Sequence, residues 1–180
     1  LPRHSVFLQS EGRVNDPPLQ TVEKTSFSRN IPLEFSEEAL KEAGNMPTEV
    51  TEDDIKGKVD LRQEQFLTID CDDTKDRDDA VYAEKLPNGN IKLYVAISLI
   101  DYYVKRGSKL YEEAMERCTS HYAGGACVPM FPPKLSNGIC SLNENVDRLA
   151  RIFEMEIDSD GTIKDYIKIK YKDDDVLYIP

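Results

Sequence analysis

The sequence reads as an α+β chain in which a few helices accompany mixed, mainly antiparallel strands. Two strand–turn–strand runs point that way. Residues 80–86 and 91–97 flank Pro87-Asn88-Gly89-Asn90, and residues 151–157 and 162–170 flank Asp160-Gly161. Asn-Gly or Asp-Gly between strand-like runs is a strong short-range hairpin signal. Between the hairpins, Leu110, Tyr111, Ala114, Met115 and Cys118 fall at helical spacing, which predicts an amphipathic helix over 108–118 with Leu110, Tyr111 and Met115 in the core. At 180 residues, one domain with an extended flank can bury roughly two-thirds of its unfolded surface.

Taken in order, residues 1–35 carry Pro17-Pro18 and little periodicity, and are expected as an extended lead-in. Ser36 is a good N-cap for a short helix, Glu37 and Glu38 place negative charge in its first turn, and Gly44 is a natural stop. A second helical turn is expected at Thr51, with Asp54 three residues on as a variant of the capping box. Residues 36–65 together read as a short helical linker. Residues 66–69 look like a strand running straight into an acidic loop, and 94–100, the most apolar stretch, like a buried strand. The Gly/Pro-rich run 123–133 is expected to be irregular, because proline fixes φ and lacks a donor.

Charge and composition narrow the function. Lys and Arg number 23 against 34 Asp and Glu, a net charge of −11, which argues against attraction to nucleic acid by bulk charge. Any nucleic-acid role therefore needs a local site, with a metal cation to offset negative charge. Mean hydropathy is −0.53, and no apolar run approaches the roughly 20 residues of a membrane helix. Leu1-Pro2-Arg3-His4-Ser5 lacks the layout of a signal peptide. The four cysteines contain no Cys-x-x-Cys pair, which favours a reducing compartment; a cytoplasmic protein without membrane attachment is expected.

The most informative segment is 70–80, where Asp70, Asp72, Asp73, Asp76, Asp78 and Asp79 are offset only by Lys75 and Arg77, a local net charge of −4. Such crowding between two apolar runs is costly unless a cation sits among the carboxylates. Mg²⁺ takes one or two protein carboxylates and leaves its other positions to water and phosphate, and a site of that kind can polarise a phosphodiester. The bland alternative is a solvated acidic turn. An EF-hand is excluded, since its sixth and twelfth positions counted from Asp70 hold Lys75 and Val81 rather than Gly and Glu. Asp72-Asp73-Thr74-Lys75-Asp76 also matches the aspartate-rich pattern of terpenoid synthases, which are all-helical, whereas this motif lies between strand signals.

Further motifs accompany the loop in a fixed order: Lys58-Val-Asp-Leu-Arg62, Thr68-Ile-Asp70, Thr119-Ser-His-Tyr122, Val128-Pro-Met-Phe-Pro132, Leu135-Ser-Asn-Gly138, and a run from Cys140-Ser-Leu-Asn143 to Ala150. Together they make residues 31–170 resemble the first half of the catalytic (RNB) domain of the ribonuclease II and ribonuclease R exoribonucleases, nearest to the bacterial ribonuclease R branch. The resemblance implies that 66–180 is the N-terminal half of such a domain. It implies Mg²⁺-dependent, processive hydrolysis of single-stranded RNA from its 3′ end, releasing nucleoside 5′-monophosphates, with RNA rather than DNA as partner.

Carried over position by position, Asp70 and Asp79 would hold metal, Asp76 would support the metal shell, and Asp78 would be the most critical catalytic carboxylate, with Asp76 beside it. Tyr122 would stack on a base near the RNA 3′ end, an interaction that tolerates every base. Asp72 and Asp73 match no required position. Two departures stand out. Where many relatives have Ile-Ala-Asp-Val-Ser, this chain has Ile97-Ser-Leu-Ile-Asp101, so an acid of the pattern is Leu99. The arginine, glutamate and second aromatic that the family's second half contributes have no counterpart here. A second expectation follows: a truncated RNB fragment that binds metal but lacks activity by itself. An acidic interaction domain without metal is a third.

Other chemistries find less support. Cys118, His121, Cys127 and Cys140 lack the paired spacing of a zinc site, and free thiols are the simpler reading. His4 and His121 sit in no Ser-His-Asp or His-Glu-x-x-His setting. Gly124-Gly125 matches no phosphate-binding fingerprint and reads as a turn. Arg148 could contact phosphate or pair with the acidic loop, and the sequence leaves both open.

Overall fold

The computed structural model describes residues 32–123, 126–168 and 177–179. Most of the expected lead-in, the Gly124-Gly125 turn and the end of the second hairpin lie outside them. In order, the described elements are helix α1 (Glu37–Gly44), strands β1 (Val59–Asp60), β2 (Asp79–Lys85) and β3 (Ile91–Ser98), helices α2 (Ile100–Tyr103) and α3 (Lys109–Arg117), strands β4 (His121–Ala123) and β5 (Ala126–Val128), a wide turn at Leu135–Ile139, and strands β6 (Arg148–Ile157), β7 (Ile163–Lys168) and β8 (Leu177–Ile179). None of the described helices is long and apolar enough to cross a membrane.

The main sheet runs β1-β8-β6-β3-β2, with β7 also paired to β6. Strand β6 organises it: Ala150–Ile157 pairs antiparallel with β3, while on the other edge Arg148–Ala150 pairs with β8 and Phe153–Ile157 with β7. Among the described strands, only β1 and β8 pair in parallel. This is the α+β, mainly antiparallel architecture expected. The first hairpin closes with Lys85 opposite Ile91, and Gly89 supplies the positive φ (89°) that its turn requires.

Two apolar clusters hold the elements. One joins Ala39 and Ala43 of α1, Tyr103 of α2, Leu110 of α3, Leu135, Ile139 and Leu149. The other lies on one face of the sheet, around Ala80, Ala96, Ala150, Ile152 and Leu142, with Val59, Leu61, Phe66 and Tyr94 against it. Helices α1 and α3 cap each other. Ser36 Oγ accepts from Ala39 N–H, as its cap position predicts, and Ser108 Oγ accepts from Tyr111 N–H. The Glu42 carboxylate then accepts from Lys109 and Leu110 N–H (3.0 and 2.9 Å), while Glu113 accepts from Ser36 N–H (3.3 Å).

The structure corrects four expectations and bears out the turn at Thr51. Residues 66–69 form no strand: Leu67 makes a single bridge to Val81, and the chain then peels away, leaving Leu67 64% and Ile69 87% exposed. The apolar run 94–100 is a strand only to Ser98 and turns into α2. At Thr51 the expected helical turn does form: Thr51 and Asp54 make reciprocal bonds, and Ile55 N–H donates to the Thr51 carbonyl (3.3 Å). Helix α3 buries Leu110, Glu113, Ala114 and Arg117, a face rotated by about one residue from the apolar one, and Met115 is exposed. Its partners on that face are the Ser36 amide and the Glu34 carbonyl, which demand polar groups. The run 123–133 is partly regular: β4 and β5 pair, because its prolines, at 129, 132 and 133, all follow the last paired residue.

Candidate functional site

The acidic loop is held by a segment 64 to 66 residues away in sequence. Arg77 N–H donates to Ser141 Oγ (3.0 Å), the same hydroxyl donates to the Lys75 carbonyl (2.8 Å), and Leu142 N–H donates to the Arg77 carbonyl (2.9 Å). Asn143 receives the Arg77 guanidinium on its Oδ1 (3.0 Å) and anchors itself to the Asn137 carbonyl (3.1 Å). Arg148, buried at the start of β6, donates its Nε to the Ser141 carbonyl (2.9 Å) and Nη1 to the Asp147 carbonyl. In the fold Arg148 thus braces the bracket from behind. Ser98 Oγ, donating to the Cys140 carbonyl, fixes the same bracket to the end of β3. At the loop's exit, Ser98 N–H donates to the Asp78 carbonyl (2.9 Å), so Asp78 is locked at its backbone just where the chain enters β2 at Asp79.

This bracket sends successive loop side chains in different directions. Asp76 and Asp78 line a cleft of about 180 Å³ together with Tyr122, Phe131, Met130 and Ser136. Tyr122 comes from β4, and its hydroxyl donates to Asp76 Oδ2 at 2.5 Å while the residue stays 66% exposed. The side chain is thus accessible at the mouth of the cleft. The carboxylate it binds raises the phenol pKa, with burial adding to the effect. Four residues before β4, Arg117 is buried at 1% exposure, stacks its guanidinium 3.8 Å from the Phe35 ring centre and donates to the Glu34 carbonyl at 2.7 Å. Ser120 Oγ, accepting from Met130 N–H (3.0 Å), ties the two sides of the β4–β5 hairpin.

Asp78 carries the electrostatic signature of the site. Although the residue as a whole is exposed, enough protein surrounds its carboxyl that desolvation, followed by the charges of Asp76, Asp79 and Asp70, raises its pKa above the ordinary 3.8. All four aspartates singled out from the sequence are thus within electrostatic reach of one point. Asp70 is turned toward Arg77, its Oδ2 4.0 Å from Nε, and Asp79 heads β2 at the loop's exposed end. Asp72 and Asp73 are exposed. Among the described residues no three His, Cys, Asp or Glu side chains form a ready-made metal cage. Asp76 and Asp78, side by side in the cleft, are oxygen ligands of the kind a hard divalent cation takes one or two of before water and phosphate complete its shell. Cys118 and Cys127 are exposed and Cys140 is buried.

Comparison with known proteins bears on the same residues. The family model described as "RNB domain" matches residues 58–171. Ribonuclease R of Thermotoga maritima is 50% identical over 135 residues, covering 75% of this chain and 19% of that protein. Ribonuclease R 1 of Lactococcus lactis is 44% identical over 155 residues, 86% of this chain and 19% of that protein. The chain thus spans about a fifth of the length of these curated relatives. Among solved structures, Mycoplasma genitalium RNase R in complex with ribose-methylated single-stranded RNA superposes with a TM-score of 0.79 at 32% identity, covering 92% of this chain and 25% of that one. The same enzyme with double-stranded RNA superposes equally, covering 28% of that chain.

Proposed function

The chain belongs to the RNB family, and on that ground we propose that it carries the metal-binding half of a hydrolytic 3′-to-5′ exoribonuclease site that releases nucleoside 5′-monophosphates from single-stranded RNA. The observation that supports this most directly is the shared cleft, in which Asp76 and Asp78 stand beside an accessible tyrosine whose hydroxyl is bonded to Asp76. Asp70 and Asp79 would hold Mg²⁺ with support from Asp76. The ion supplies neutralisation and polarisation of a phosphodiester. Tyr122 stacks on a base and keeps the 3′-terminal nucleotides in register. Asp78, the carboxylate whose pKa burial and its neighbours hold up, accepts a hydrogen bond from the attacking water and orients it.

The test is direct. With 5′-labelled single-stranded RNA and Mg²⁺, the protein should shorten the strand progressively from its 3′ end, and Asp78→Asn should bind the same RNA without shortening it. Normal degradation by that variant would remove Asp78 from the reaction. A second reading, that this chain binds cation and RNA end but does not cut, is favoured by its covering about a fifth of its relatives. Under that reading the wild-type chain binds without producing a ladder.

A further inference from the structure

Strand β3 is more apolar on its open side than on its packed side. The packed side carries Lys92, Tyr94, Ala96 and Ser98, with Ala96 in the second apolar cluster. The open side carries Ile91, Leu93, Val95 and Ile97. Cross-strand partners share a face, so Val81 and Ala83 of β2 stand beside Val95 and Leu93, and Phe153 and Met155 of β6 flank them on the other edge. Leu67, bridged to Val81, extends the same surface. Ile91 is 46%, Ile97 39% and Phe153 43% exposed, and among the described residues none of this face joins either apolar cluster. The face runs from Lys85, opposite Ile91, to Asp79, opposite Ile97, and so ends at the acidic loop. An antiparallel sheet with one wet face alternates apolar-in and polar-out. At β3 that order is reversed, and a contiguous apolar patch of this kind marks a surface that another layer covers.

We propose that this face seats a further layer of RNB-family polypeptide, packed on the side of the sheet opposite the second apolar cluster. The relatives that share this segment carry about four-fifths of their length outside it. The Mycoplasma genitalium enzyme, which superposes on 92% of this chain, likewise has about three-quarters of its length beyond the superposed part. A second copy of this chain fits less well, because the two would meet with a net charge of −11 each, and like charge opposes association. The incoming surface is apolar at its centre, over Val95 and Phe153, and polar at its two ends, where Lys85 and Asp79 stand. This packing holds whether or not a cation binds the acidic loop, so its test stands apart from that of the activity.

Hydroxyl-radical footprinting read by mass spectrometry compares two proteins. One is the 180-residue chain, and the other is Thermotoga maritima ribonuclease R carrying the matched 135 residues of this chain in place of its own. Leu93, Phe153 and Met155 should oxidise readily in the first and at least about fivefold more slowly in the second, where close packing excludes the radical. Phe153→Lys should move the melting temperature of the 180-residue chain by no more than about two degrees, as at an exposed site. In the hybrid the same change buries a charge and should lower melting by about five degrees or more. A face that oxidises equally fast in both proteins, or a hybrid that melts unchanged with Phe153→Lys, overturns the proposal. If that variant of the hybrid does not fold, footprinting of the unsubstituted hybrid decides alone. An unsubstituted hybrid that does not fold overturns the proposal as well, because the face then does not accept the layer. A 180-residue chain that sediments as a dimer with this face already protected makes the occupant a second copy, and equally overturns it.

Discussion

Removing the Tyr122 hydroxyl leaves its exposed ring in place, because the β4–β5 pairing, not the phenol, holds the backbone of that hairpin. Tyr122→Phe should therefore keep RNA affinity within about threefold, while Tyr122→Ala, losing a stacking contact of about 1–3 kcal/mol, should weaken it at least fivefold. Fluorescence anisotropy with a labelled oligonucleotide separates them, and equal losses would assign the binding to the hydroxyl. Asp78 makes a prediction of the opposite kind, in which a damaging substitution stabilises. Its folded pKa is raised above 3.8 by burial and by Asp76, Asp79 and Asp70. Between 3.8 and that raised value the folded state holds more protons than the unfolded one, so this group's contribution falls as pH rises through the window and stays unfavourable above it. Asp78→Asn in chelator should then melt higher than wild type at pH 7, with the difference shrinking toward pH 4. Lower melting at pH 7 would mean that the carboxylate is stabilised by a partner instead.

The bracket formed by 141–143 shows what an element contributes when it is neither helix nor strand. Ser141 is fully buried and serves both the Arg77 amide and the Lys75 carbonyl, so Ser141→Ala strands two polar groups at a cost of about 1–3 kcal/mol. A fall in melting temperature of several degrees is expected, together with faster hydrogen exchange at the Arg77 amide; unchanged exchange would show that the loop keeps its shape without the bracket. This long-range clamp was out of reach of periodicity, since its partners lie more than 60 residues apart and are ordinary polar residues. What local chemistry dictates was readable: Ser36 as a cap, a helix from about Ser108, and Asn88-Gly89 as a hairpin turn. Where a tertiary partner decides, reading failed. Glu113 and Arg117 are buried because Ser36 N–H and the Glu34 carbonyl wait for them, and 66–69 looks like a strand yet finds only Val81 to pair with. The resemblance carried Asp76, Asp78 and Tyr122 to positions that do share a cleft, but nothing in the linear pattern set Asp70 beside Arg77.

Over these 180 residues a net charge of −11 opposes the approach of any polyanion, and the proposed RNA site works differently from proteins that capture RNA through a basic surface. Their affinity falls steeply with salt as counterions are released. Here the repulsion is long-range and the attraction local, so raising NaCl from about 20 to 200 mM, which shortens the Debye length from about 20 Å to under 10 Å, should leave RNA affinity in chelator unchanged or improved. Adding Mg²⁺ should strengthen it further and should also raise the melting temperature, because an ion bound at about 100 times its dissociation constant stabilises the folded state by about 2.7 kcal/mol. Replacing Asp70 and Asp79 by Asn should abolish both Mg²⁺ effects while leaving the salt response alone, since that response belongs to the charge of the entire chain and hardly notices two fewer carboxylates. Anisotropy titrations and thermal melts on the same two samples measure the pair of effects. A steep loss of affinity with salt in chelator would place RNA capture on a basic patch and take the Asp76–Asp78 cleft out of the first encounter.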